Sequence, residues 1–201
     1  MIAIIDYGMG NLRSVQKAFE KVGATAVITE DFKTIQQAKK VVLPGVGAMQ
    51  PAMEKLTSLK LIEVLKESIQ KGKPFLGICL GLQLLFEKSM EGGEVKGLEI
   101  LSGSVERFNQ LKVPHMGWNQ LRIKKKDCPI FKDIIDQSNV YFCHSYYVKP
   151  KDHTISASVT DYGIEFTSAI NQDRLFGVQF HPEKSQEVGL KILKNFAELP
   201  N

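Results

Sequence analysis

An alternation in the first half of the chain leaves few folds open to it. Short apolar runs, "IAIID", "TAVIT", "VVLP" and "PFLGI", stand between segments whose apolar residues recur at helical spacing. In "LRSVQKAFEKVG" the residues Leu12, Val15, Phe19 and Val22 share a face, and Gly23 follows as a C-terminal cap. "FKTIQQAKK" reads as a short helix, and "MEKLTSLKLIEVLKESIQKG" as helix broken near Thr57 and Ser58. "LGLQLLFEKS" reads as a further helix directly after "PFLGI". Strands apolar on both faces, alternating with helices, imply a parallel sheet covered on both sides. The fold class is therefore α/β.

The second half changes character. "LEILSGSVERF", "QLRIK", "VYFCHSYYV", "TISASVTD", "EFTSAI" and "LFGVQF" read as strands joined by turns such as "TDYG". "SQEVGLKILKNFAEL" reads as a closing helix, with Ser185 as N-cap and Val188, Ile192, Leu193 and Phe196 on one face. No repeat, low-complexity tract or linker interrupts the 201 residues, so residues 1–201 are expected to form one domain with a mixed, largely parallel sheet. A net charge of +4, with Lys124-Lys125-Lys126 the only dense basic cluster, gives no case for nucleic acid. No apolar run is long enough for a membrane span, and "MIAIIDYGMG" carries no basic leader or cleavage-like site. The three cysteines, Cys79, Cys128 and Cys143, form no C-x-x-C pair, which argues against a disulfide framework or a zinc knuckle and fits a reducing, cytoplasmic setting.

One of those cysteines has a special place. In "PFLGICLGLQLLFE", Cys79 falls where a strand turns into a helix, flanked at two residues by Gly77 and Gly81. G-x-C-x-G there is the thiol form of a nucleophile elbow: a tight turn whose glycines relieve crowding and whose side chain stands out at the carboxyl edge of the sheet. Such edges bind ligands in open α/β folds. The amide of Leu80, at the start of the helix, can donate to an oxyanion. A nucleophilic thiol needs a base and a group to orient it. Of His115, His144, His153 and His181, only His181 has an acid at defined spacing, in "FGVQFHPEKS". Pro182 favours an extended His181, so Glu183 projects on the same side. His144 and Cys143 are strand neighbours facing opposite ways and do not make a metal pair. His115 reads as structural or interfacial, His153 as exposed. "VVLPGVGA" ends a strand with Pro-Gly-x-Gly and is a candidate for the second oxyanion donor. "DYGMGN" lacks the third glycine of a dinucleotide fingerprint. No metal or cofactor is expected.

Chemistry alone thus gives a cysteine hydrolase or acyl-transfer enzyme working through a thioester. "GICLGLQLLFE" with "GVQFHPEKS" resembles the triad-type, class I glutamine amidotransferases. "DYGMGNLRSV", "LPGVGAM", "VPHMGWN" and "YFCHSYY" are similar to the glutaminase subunits of imidazole glycerol phosphate synthases. The resemblance implies a flavodoxin-like fold, with Cys79 attacking the side-chain amide of glutamine, His181 moving the protons and Glu183 orienting His181. It implies an oxyanion hole at Val46 and Leu80, and glutamine held by Gly47, Gln83, Glu91, Ser145 and Tyr146. It further implies that Asn11, Trp118, Tyr141 and Lys184 lie near a (β/α)₈-barrel synthase in a heterodimer. That partner receives the ammonia and raises glutaminase activity on binding its nucleotide. A rotation of the Gly45–Val46 peptide is the expected gate. The rivals are a glutaminase serving another synthase, such as that for pyridoxal phosphate, a silent binding module of the same fold, and a dienelactone-hydrolase-like enzyme. The last would place its acid well before the histidine.

Overall fold

A computed structural model describes residues 1–200. In chain order it runs β1 (Ile2–Ile5), α1 (Leu12–Lys21), β2 (Ala26–Thr29), α2 (Phe32–Gln37), β3 (Lys40–Gly45), α3 (Met49–Ser58), α4 (Leu61–Gln70), β4 (Phe75–Cys79) and α5 (Leu80–Gln83). There follow β5 (Phe86–Ser89), β6 (Val95–Lys96), β7 (Leu101–Arg107), β8 (His115–Gln120), β9 (Arg122–Ile123), β10 (Asn139–His144), β11 (Tyr146–Pro150), β12 (Ser156–Asp161), β13 (Glu165–Gln172), β14 (Leu175–Val178) and α6 (Gln186–Glu198).

The expected alternation produces the expected sheet. Strands β2, β1, β3, β4 and β14 lie side by side and parallel, and antiparallel strands β13, β11 and β7 continue the sheet beyond them. Two apolar layers result. Ile2, Ile4, Ile78 and Val178 pack with Phe19, Ile192 and Phe196 on one side. Ala3, Ile5, Leu43 and Phe75 pack with Met49, Leu56 and Leu65 on the other. Alternate residues of a single strand thus feed opposite layers, as the two-residue repeat of a strand requires. Gly23 sits just past α1 at φ 82°, donating to the Glu20 carbonyl, as its cap role predicts.

The helix break expected near Thr57 and Ser58 falls directly after them, at Leu59 and Lys60, with Lys60 left-handed at φ 57°. Three expectations change in detail. The helix expected over "LGLQLLFEKS" stops at Gln83, and Phe86–Ser89 is a strand. There the Leu84 carbonyl accepts from Leu98 N–H, the Leu85 carbonyl from Leu101 and the Glu87 carbonyl from Gly97, so the segment beyond β6 replaces the helical partners. Leu84, Leu85 and Phe86 are wholly buried, and an apolar run of that kind carries no period to separate helix from strand. "VYFCHSYYV" is two strands: β11 joins the main sheet, while β10 pairs only with β8 in a separate antiparallel ribbon. Ser185 precedes α6 without capping it through its side chain. Its hydroxyl donates to the His181 carbonyl at 2.7 Å and accepts from Tyr141 N–H at 2.9 Å, tying the ribbon to the turn after β14.

Candidate active site

The parallel pairing of β4 with β14 brings the two chemical motifs together. Val178 lies opposite Ile78 and Gly177 opposite Gly77, so the chain leaves both strands at the same edge of the sheet. Cys79 follows at once on β4, and His181 three residues beyond the end of β14. Gly45, at the end of β3, pairs with Cys79 on its other side.

Cys79 adopts φ 54°, ψ −109°, a region costly for any residue with a side chain. Its neighbours show what holds it there. A methyl group on Gly81 would overlap the Leu43 carbonyl oxygen, and one on Gly77 would come within 2.7 Å of the Gly81 carbonyl oxygen. A methyl on Gly177 would strike Leu82. The glycines therefore let α5 lie directly across β3, β4 and β14, and the bend at Cys79 is the price of that approach. Because α5 spans only one turn, the Leu80 N–H acts as a first-turn donor rather than as the tip of a long helix dipole.

The sulfur is not held out in the open, as an elbow alone would predict. Cys79 is only 5% exposed, because it forms the floor of a cleft of about 430 Å³. Val46, Gly47 and Ala48 rise on one side, Pro114 and Cys143–Tyr146 on the other, with Gln83, Glu91, His181 and Lys184 completing the walls. Every residue expected to hold glutamine is in that lining. Gln83 is buried, and its amide donates to the Tyr146 carbonyl at 3.0 Å and to Gln179 Oε1 at 3.1 Å. Glu91 accepts from Met49 N–H at 3.0 Å, which fixes the loop after β5 against the start of α3.

His181 has an extended backbone, φ −98°, ψ 96°, with its N–H bonded to the Tyr141 carbonyl at 2.9 Å. Its Nδ1 lies 2.9 Å from Glu183 Oε1, and both side chains are almost fully buried. Burial pulls the ring's pKa down, but hydrogen bonds to Cys79 and Glu183 and the charges of the same two groups outweigh it and raise the value to about 10. The imidazole therefore sits between the sulfur and the carboxylate, and both favour its protonated form.

Of the residues expected near a partner, three gather. Trp118 meets Tyr141 edge-on at 6.0 Å, and the Lys184 ammonium lies 5.8 Å from the Tyr141 ring centre. Asn11 lies at the start of α1 and accepts from the hydroxyl of Ser14, which lines a surface pocket with Lys184.

Some residues of the site have no motif to announce them. Gln179 is fully buried two residues before His181, with its amide nitrogen 3.6 Å from the Cys79 sulfur. A buried glutamine in an apolar strand, in step with the histidine, was the available signal. His115 and His144 stand 2.9 Å apart through Nδ1 and Nε2. His144 Nδ1 lies 2.7 Å from the Tyr146 carbonyl oxygen, and His115 Nε2 lies 3.2 Å from the Asn119 amide. The bonds are consistent with one neutral tautomer for both rings, Nδ1–H donating toward Tyr146 in each link. Among the described residues no group of three or more His, Cys, Asp or Glu could hold a metal, and no helix is long and apolar enough to cross a membrane.

A thiol on a strained elbow, sharing a cleft with an imidazole hydrogen-bonded to a carboxylate, on this sheet, is the arrangement of a glutamine amidotransferase. The class I glutamine amidotransferase family model matches residues 3–199, and the chain belongs to that family. Within it, the chain groups with the glutaminase subunits of imidazole glycerol phosphate synthases. It is 53% identical over 206 residues to the HisH subunit of Geobacter sulfurreducens, covering 98% of each chain. It is 54% identical over 200 residues to that of Caldanaerobacter subterraneus, covering 99% of this chain and 98% of that one. A crystal structure of a glutamine amidotransferase superposes with a TM-score of 0.78 over 99% of this chain at 15% identity, a likeness of fold.

Proposed function

We propose that this chain hydrolyses glutamine to glutamate and ammonia through a thioester on Cys79. The ammonia passes to a (β/α)₈-barrel synthase subunit in a heterodimer, which forms imidazole glycerol phosphate and 5-aminoimidazole-4-carboxamide ribonucleotide in histidine biosynthesis. The observation that carries this reading is the Cys79–His181–Glu183 alignment at the floor of the cleft.

The sulfur, its proton held by His181, attacks the side-chain carbonyl carbon of glutamine. The carbonyl oxygen takes the negative charge and is received by the amides of Val46 and Leu80. His181 returns the proton to the departing nitrogen as the C–N bond breaks, leaving ammonia and the γ-glutamyl thioester. Water, deprotonated by the same ring, then cleaves the thioester to glutamate and restores the thiol. Glu183 keeps the ring in position through both steps. Gly47, Gln83, Glu91, Ser145 and Tyr146 hold the amino-acid end of the substrate. Rotation of the Gly45–Val46 peptide turns the Val46 N–H toward the oxyanion when the partner is engaged. A structure of the active complex with that N–H pointing away would contradict the gate.

Ammonia released into water would be protonated and lost as a nucleophile, so the cleft needs a cover. Exposed Val46, Met116 and Trp118, with Tyr141 and Lys184, offer the surface for it. A histidine-biosynthetic role and a working free thiol both fit the cytoplasm. In the complex with a barrel synthase, Cys79→Ala should abolish glutamine-dependent turnover and spare turnover with added ammonium. Loss of both would make Cys79 structural, and preferential capture of a different synthase would redirect the ammonia.

A further inference from the structure

Among the described residues, only two buried side-chain polar atoms lack a hydrogen-bond partner: Glu183 Oε2, beside His181, and the hydroxyl of Tyr7. Tyr7 has no part in the thioester chemistry. It follows β1, where Asp6 caps the turn through Gly8 N–H, and its ring enters the layer formed by Leu43, Met49 and Leu80 with no surface exposed. A hydroxyl sealed in such a place without a partner is unfavourable, and phenylalanine would fill the same space.

The position of that hydroxyl gives it a use. It rests against the α-carbon of Gly45, where any side chain at 45 would overlap it and would also come within 3.0 Å of Leu80 Cβ. Gly45 does not have positive φ, so the glycine is required by this contact and not by its own backbone angle. Gly45 also pairs with Cys79 across the sheet and contributes the carbonyl of the Gly45–Val46 peptide. Burial, and after it the charge of Cys79, push the ionisation of Tyr7 upward, so the phenol keeps its proton and remains a donor.

A peptide's N–H and C=O point in opposite directions. Turning the Val46 N–H toward the substrate therefore turns the Gly45 carbonyl away from the cleft. A carbonyl there is stranded unless a donor meets it. We propose that Tyr7 is a positioning residue of the oxyanion site, its hydroxyl donating to the Gly45 carbonyl when the Gly45–Val46 peptide turns its N–H toward the substrate. Two polar groups that are costly apart satisfy each other in the turned state, which shifts the loop's equilibrium toward activity. The inference rests on the glutaminase function proposed for the chain.

The test is steady-state glutamine hydrolysis by the complex with a barrel synthase saturated with its nucleotide, together with thermal unfolding of the free chain. The wild-type complex is measured first, and failure to hydrolyse glutamine would remove the glutaminase reading before Tyr7 is touched. Given an active complex, Tyr7→Phe is expected to lower kcat about tenfold, with KM for glutamine within about twofold. Its unfolding temperature should be unchanged or higher, since an unpaired hydroxyl is removed from the core. Gly45→Ala should also lower kcat, and adding Tyr7→Phe to it should cause no further loss, because both changes break the same contact. A Tyr7→Phe kcat equal to wild type would overturn the proposal. So would a fall in kcat accompanied by a lower unfolding temperature, since that would mark a role in packing alone.

Discussion

At the scale of single residues, the site turns on how His181 is held. One ring nitrogen is bonded to Glu183, the ring shares the cleft with Cys79, and burial removes water as a competitor for it. Glu183→Gln keeps the shape but replaces an acceptor-only group with one that can present N–H to the ring. The expected result is a fall in glutaminase kcat of roughly two to three orders of magnitude, with little change in KM, read from initial rates in the complex. A loss smaller than about threefold would mean that His181 needs no orienting group. The paired rings of His115 and His144 have the opposite electrostatics. Burial drives His115 down to about 4 and His144 to about 3, the latter against a raising bond to Tyr146. Both are neutral in the fold, whereas the unfolded chain protonates them below about 6.5. The unfolded state therefore binds more protons, and stability must fall as pH drops from about 6.5, by up to about 1.4 kcal/mol per pH unit for each ring. His181, raised in the fold, is protonated in both states below about 6.5 and adds nothing to that slope. Urea midpoints at pH 7, 5.5 and 4.5 would reveal it (roughly the window above carboxylate titration), and a flat profile would show that the pair is not held neutral. Cys79, His181 and Glu183 were legible in the sequence because each announces itself within a few neighbours. Tyr7, Gln179 and the His115–His144 pair were not, because their meaning comes from residues dozens of positions away.

At the scale of elements, the elbow is a packing problem solved by glycine. The Cβ missing from Gly81 would occupy the place of a backbone carbonyl on β3, and a strand at the centre of a sheet cannot move aside. Gly81→Ala is therefore expected to cost about 3 kcal/mol or more, or to prevent folding. Gly23→Ala is the contrast. Its φ of 82° is glycine-like, which that of Gly81 is not, and nothing lies within 4 Å of the added methyl. It should cost only about 1 kcal/mol. Equal losses in chemical denaturation would mean that close approach at Gly81 costs no more than backbone angle does at Gly23. The G-x-C-x-G spacing exposed this turn in the sequence, yet the residues just after it pointed to the wrong element. "LQLLFE" is apolar at every phase that matters, so the switch from α5 to β5 is decided by the carbonyl partners that residues 97–101 provide. Gly177, the third glycine beneath α5, was likewise invisible as part of the elbow, since it comes from the other end of the chain.

At the scale of the whole molecule, the ribbon of β8 and β10 gives a half-buried site an exposed apolar rim. Its inward side places Val140, Phe142, His144 and His115 on the core. Its outward side carries Met116 and Trp118, paired with Cys143 and Tyr141, and leads to the rim of the cleft. The sequence contained the strands but not their separation from the main sheet, because the change of direction at Ser145 is imposed by the pairing of Tyr146 with Arg107 on β7. Trp118 is about half exposed yet braced by the Tyr141 ring, a side chain held ready rather than free. If the rim receives the barrel synthase, an aromatic anchor of this kind should contribute disproportionately to affinity. Trp118→Ala is expected to weaken binding by about 2 kcal/mol, roughly 30-fold in Kd, by titration calorimetry. Ile135→Ala is the matched control: Ile135 is 80% exposed but precedes β10, at the end of the ribbon remote from His144. Its substitution should leave Kd unchanged. Equal weakening by both would place the synthase across the side of the ribbon rather than over the cleft, and the ammonia would then have no covered route away from Cys79.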